Sequence, residues 1–137
     1  MTVSSIELER SQQALESINA LKTEPCGKYA SYVKGLPAAI LQNGLGQALA
    51  TLLARAKRSK PNRSPDEKAC EKLYEHLETW LCRDNEHAPY PRQRDLMKAI
   101  TTHNEDHYLR AQAEALAYLN WLKKFAVAYL QQSDSEV

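Results

Sequence analysis

Between Tyr29 and Leu53 the chain reads YASYVKGLPAAILQNGLGQALATLL, and Lys34 is the only charge in that run. A stretch this apolar has to be buried, because leaving its side chains in water forfeits the main driving force for folding. Three of the four glycines (Gly35, Gly44, Gly46) and Pro37 punctuate it. The expected form is therefore two or three short helices, joined at 35–37 and 43–46 and closely packed. The rest of the chain must cover them.

The flanking sequence offers helices for that purpose. Ser4 followed by Glu7 is a capping box, in which each side chain satisfies the other residue's free N–H. Leu8, Leu15, Ile18 and Leu21 then recur at helical spacing, and Pro25 and Gly27 close the helix. A short helix over 28–34 precedes Pro37, which suits the first position of a new turn over 38–42. Asn43-Gly44 signals a helix end, and Leu45 opens a helix to about residue 57. Ser64-Pro65-Asp66-Glu67 combines a capping box with Pro at the first helical position and acids in the first turn. Cys70, Leu73, Leu77, Trp80 and Leu81 form the stripe of that helix. A loop over 84–91 leads to a short helix with Leu96, Met97 and Ile100 inward. Thr102 with Glu105 repeats the capping pattern and opens a last helix to about residue 132, with Leu109, Ala113, Leu116, Leu119, Leu122, Ala126 and Tyr129 as its stripe. No segment alternates with period two. The expectation is an all-α, single-domain bundle of about five to six helices over 1–137, with a long C-terminal helix and a frayed tail at 132–137.

The chain has 137 residues, enough to hold a core without metal or disulfide. Gly and Pro interrupt the one run that approaches the length of a membrane span, so no membrane association is expected. The N-terminal MTVSSIELER lacks an apolar signal segment, and three sparse cysteines (Cys26, Cys70, Cys82) fit reduced thiols, so a cytoplasmic location is expected.

Residue types that could carry chemistry are present but do not assemble into a motif. His103 and His107 straddle a helix start with no third ligand in view, and Cys70, His76, Cys82 and His87 lack paired zinc spacing. Gly44-Leu45-Gly46 has neither the preceding strand nor the following Lys-Ser/Thr of a phosphate loop. No Ser or Cys is paired with a base. We expect no catalytic residues, no metal, no cofactor and no small-molecule substrate. A helix-turn-helix over 37–57 would place only Gln47, Thr51 and Arg55 outward, which is thin for reading bases.

Charge is the informative signal. From Lys22 to Arg63 the chain holds eight basic residues and one acid, a net +7, while the remainder is net −6. Such a basic region suits phosphates or an acidic protein face. The segment 54–68 has no aromatic residues for base stacking, so contact there would be to phosphates. The candidate nucleic-acid-binding residues are Arg55, Lys57, Arg58, Lys60 and Arg63, with Lys34, Lys123 and Lys124 behind them.

Two further stretches carry a resemblance. Leu36-Pro37, Ile40 and Gln42-Asn43-Gly44-Leu45-Gly46-Gln47-Ala48-Leu49 form one. Tyr108-Leu109-Arg110 with Ala115-Leu116, Tyr118-Leu119 and Trp121-Leu122-Lys123-Lys124-Phe125-Ala126 form the other. Together, in this order and separation, they resemble the small subunit of the type III-B CRISPR effector, the Cmr complex. The resemblance implies an all-helical, non-catalytic subunit of an RNA-guided antiviral complex, with Lys123 and Lys124 at positions usually basic in that family. It implies as partners further copies of itself, the backbone and large subunits, the CRISPR RNA and its target RNA. The alternatives from the residues alone are a free-standing helical protein-interaction adaptor and a small DNA-binding regulator.

Overall fold

The structure, a computed structural model, describes residues 5–24 and 26–130. Its six helices are α1 (Ser5–Leu21), α2 (Tyr29–Asn43), α3 (Leu45–Ala56), α4 (Pro65–Leu81), α5 (Leu96–Thr102) and α6 (Glu105–Tyr129). There is no strand among the described residues, so the fold is all-α with a long last helix, as expected. Both α1 and α2 pack along α6, α3 packs along α4, and α2 also meets α3 and α4. Ser4, Pro25, the 132–137 tail and the expected helix end at 132 lie outside the described residues.

The apolar run departs from the expected short pieces. It forms only two helices, and α2 continues through Pro37 without a break. A proline inside a helix costs about 3 kcal/mol. Against this, Val33 and Ile40 are fully buried and Leu36 nearly so, and each such side chain contributes about 1.5–3 kcal/mol. Packing on both sides of α2 therefore outweighs the local defect. The helix does end where Asn43-Gly44 places it. Gly44 has φ 87° and its N–H bonds to the Ile40 carbonyl at 2.7 Å. A Cβ there would also meet the Tyr108 hydroxyl at 2.9 Å, so glycine is required twice over.

α3 begins at the next residue, and α6 satisfies its first donors. The Leu45 N–H donates to Gln112 Oε1 and the Gly46 N–H to Tyr108 Oη, each at 2.9 Å. These are N–H groups that an anion at this helix start would need. The helix-end reading of Gly44-Leu45-Gly46 therefore holds.

α4 follows its sequence signals closely. The Ser64 hydroxyl accepts from the Glu67 N–H, and Glu67 Oε1 accepts from the Ser64 N–H at 2.8 Å, with Pro65 in the first turn. Cys70, Leu73, Leu77, Trp80 and Leu81 are all buried. In α1 and α6 the expected stripes hold at Ile18, Leu21, Leu119, Leu122 and Ala126, which are buried, but not at every position. Leu8 is 50% exposed, Leu109 56% and Tyr129 49%, and Ala113 is exposed as well. The faces that are buried carry Ala14, Ser17, Ile18 and Leu21 on α1, and Ala111, Ala115, Tyr118, Leu119, Leu122 and Ala126 on α6. Alanines let the neighbouring helices come close, so the seam follows the small residues where the leucines suggested otherwise. The capping pattern at Thr102 is also shifted. Thr102 still belongs to α5, and Asn104 caps α6 by accepting from the His107 N–H at 3.0 Å.

A polar link fixes how α1, α4 and α6 meet. Glu114 of α6 accepts from Arg10 of α1, through Nε and through Nη2 at 2.9 Å, and from Trp80 Nε1 of α4 at 2.8 Å. Burial alone would raise the Glu114 carboxyl, but the bonds from Arg10 and Trp80 hold it below its ordinary value. The Trp80 ring stacks on Tyr118, 5.1 Å between centroids, and the Arg83 guanidinium lies 3.7 Å from the Trp80 ring centre. Removing the carboxylate strands the indole N–H and leaves Arg10 with Glu7 alone. Glu114→Ala should cost about 3 kcal/mol by chemical denaturation. A loss under 1 kcal/mol would show that solvent replaces the carboxylate.

A second buried pair joins α2 to α4. Tyr29 Oη and His76 Nδ1 are 2.7 Å apart. Burial, helped by the Lys72 charge, pushes His76 down from 6.5 to about 4. Within that range the unfolded chain binds a proton that the folded chain refuses. Stability is therefore complete above pH 6.5 and declines as pH falls toward 4, with about 2 kcal/mol lost between pH 6.5 and 5. His76→Gln keeps an acceptor for Tyr29 and cannot protonate, so its unfolding free energy should be flat over that interval. Equal slopes in both proteins would remove His76 as the cause.

Candidate nucleic-acid interface

The basic segment expected at 57–63 is a loop between α3 and α4. Lys57 ends α3 in the left-handed region at φ 49°, which turns the chain back over α4. The loop's cations then meet acids of α4 that follow them directly in sequence. Lys57 and Lys60 both reach Glu67, at 3.4 and 3.1 Å. Arg58 and Arg63 both reach Glu71, at 3.2 and 2.7 Å. Arg63 also donates to the Ala56 carbonyl at the end of α3, and the Arg58 guanidinium stands 5.0 Å from the Tyr74 ring centre. Glu67 is pushed down to about 2, first by the Ser64 N–H it accepts and then by Lys60.

Four candidate cations thus share two carboxylates, and the loop keeps about half of the positive charge its sequence implies. Exposed pairs of this sort contribute little stability, but they orient the side chains. The charge count that stopped at Arg63 missed these partners, although Asp66, Glu67 and Glu71 stand immediately beyond it.

The other four candidates lie elsewhere. Lys34 on α2 and Arg55 in the last turn of α3 are exposed, and neither makes an ion pair among the described residues. Arg55 lines a groove between α2 and α3. Lys123 and Lys124 sit near the C-terminal end of α6, half-buried and exposed respectively, and share no partner with the loop. The structure therefore brings together Lys57, Arg58, Lys60 and Arg63, and leaves the remaining four spread over α2, α3 and α6.

The histidines and cysteines are placed without a shared centre. The rings of His103 and His107 are 5.3 Å apart, with Nδ1 of the first against the Ala99 carbonyl and Nδ1 of the second against Asn104 Oδ1. Cys70 and Cys82 are buried free thiols, and burial pushes Cys82 up to about 12. Among the described residues no group of three or more His, Cys, Asp or Glu is placed to hold a metal ion. No helix among the described residues is long and apolar enough to cross a membrane.

These features, an all-helical chain with a long last helix on which the Gly44–Gly46 junction docks, coincide with a family-level comparison. Residues 6–129 match the family described as CRISPR-associated protein (Cas_Cmr5), which spans nearly the whole chain. The chain belongs to this Cmr5 family, the small subunits of the type III-B CRISPR effector, and is a subunit of the Cmr complex.

Proposed function

We propose that the chain is a non-catalytic, structural subunit that stacks head to tail with further copies of itself beside the backbone and large subunits. In that position it contacts the backbones of the CRISPR RNA and the target RNA through basic side chains. The observation that carries this reading is the polarity of charge along a member of this family, +7 over residues 22–63 against −6 elsewhere. A chain polarised in this way can meet a second copy cation to acid, a heterologous contact that extends into a filament when it does not close. Leu41 at 70% exposure, with Leu109 and Leu8, offers apolar surface for protein neighbours. The candidate RNA contacts are Lys34 and Arg55, the loop cations Lys57, Arg58, Lys60 and Arg63, and Lys123 and Lys124 on α6. Contact of this kind is electrostatic and releases counterions.

The test is assembly of the complex with and without this subunit, followed by RNA binding across a salt series. With the subunit present, affinity should fall more steeply with salt, by a slope of about 0.7–0.9 for each phosphate engaged. Identical slopes with and without it would rule out RNA contact while leaving a purely protein-binding subunit.

A further inference from the structure

Among the described residues, four surface cavities differ in the acids that line them. One, between α1 and α6, contains Glu9 and Glu114 with Arg10 and Arg110, another contains Glu24 and Glu71 with Arg63, Lys68 and Lys72, and a third contains Glu9, Glu16 and Asp84 with Arg83. The fourth, about 440 Å³, runs between α2 and α3 and has no acid in its lining, where Arg55 is the one charged residue. Leu36, Ala39, Ala48 and Leu52 contribute apolar surface to it. On its α2 side, Ser31 and Asn43 have side chains that make no hydrogen bond among the described residues. Lys34, exposed and without an ion pair there, adjoins Gly35, which also lines the groove.

Gly35 has no internal reason to be glycine. It lies within α2, away from the positive-φ region, and a Cβ built on it meets nothing within 4 Å. Glycine at such a site costs about 1 kcal/mol relative to alanine. Gly44, by contrast, is required by its φ and by Tyr108. A glycine that the fold does not need, beside an acid-free groove, suits close approach to the helix backbone from outside the molecule.

We infer that the α2–α3 groove seats an RNA strand in the assembled complex, its phosphodiester backbone lying against Gly35 and its phosphates meeting Arg55 and Lys34. This rests on the reading that the subunit contacts RNA, and it names where. The 57–63 loop is the weaker site, because a phosphate there must displace Glu67 or Glu71 from cations already paired. Arg55 in the groove and Lys34 beside it have no ion-paired acid to give up, and charge complementarity selects a polyanion.

The experiment uses the assembled complex carrying CRISPR RNA, with complementary target RNA containing 4-thiouridine for photocrosslinking. Gly35→Leu fills the groove while favouring the helix, so the subunit should keep or raise its melting temperature and still enter the complex. Its RNA affinity should fall about tenfold. Arg55→Ala should reduce the salt slope by about 1, and the Lys57→Ala/Lys60→Ala pair should lower affinity by less than about threefold. Crosslinks should map to α2 and α3. Wild-type affinity in Gly35→Leu, or crosslinks confined to 57–63, would overturn the groove as the seat. Exclusion of Gly35→Leu from the complex would show the groove to be a protein contact and would likewise overturn it. If omitting the wild-type subunit leaves the salt slope unchanged, it is the broader RNA reading that fails.

Discussion

A carboxylate drawn into the seam between three helices organises this bundle. Glu114 can be partly desolvated there only because Arg10 of α1 and the Trp80 indole of α4 both donate to it. The bond directions are specific, so they fix the rotation and the axial position of α1 and α4 relative to α6. With Trp80 held, its ring stacks on Tyr118, whose hydroxyl lies 3.4 Å from Ser17 of α1. Leucine contacts alone would tolerate sliding by a turn, whereas this chain of directed contacts does not.

The same helix governs the other side of the molecule. Tyr108 and Gln112 supply acceptors to the first N–H groups of α3, which follows α2 after the single residue Gly44. A junction this short leaves α3 no capping side chain of its own. The donors of a buried helix start must be met, and α6 meets them. The requirement for glycine at 44 and the position of Tyr108 are therefore two aspects of one contact.

Much of this was legible in the sequence where a local signal has a local consequence. The Ser64-Pro65-Asp66-Glu67 start, the α4 stripe and the helix end at Gly44 depend on residues within a turn of one another. What was not legible depends on distant partners. Pro37 reads as a break until the burial of Val33 and Ile40 is known. Leu109 and Tyr129 read as core because periodicity weights large apolar groups, whereas the seam of α6 adds Ala111, Ala115 and Tyr118 to the expected Leu119, Leu122 and Ala126. Among the candidate contact residues, the basic types and the loop were readable. Their pairing with α4 was not, because it depends on Lys57 turning the chain through a left-handed conformation that no glycine announced.

That pairing changes what a charge count means. A run of cations on a chain predicts a positive surface only where the fold keeps acids away from it. Glu67 has two roles, closing the capping box of α4 and pairing with Lys57 and Lys60, so part of the loop's field is cancelled by the residue that starts the next helix. Lys34 and Arg55 make no ion pair among the described residues, and they stand one on each of the two helices cut from the most apolar run in the sequence. A positive field over a nearly uncharged helical face is screened by solvent ions, with no carboxylate in ion-pair contact among the described residues. Its reach is then set by the Debye length, about 8 Å at physiological salt. An anionic strand passing within that distance would meet these two charges unpaired, whereas the four in the loop, where the sequence concentrates them, already share Glu67 and Glu71.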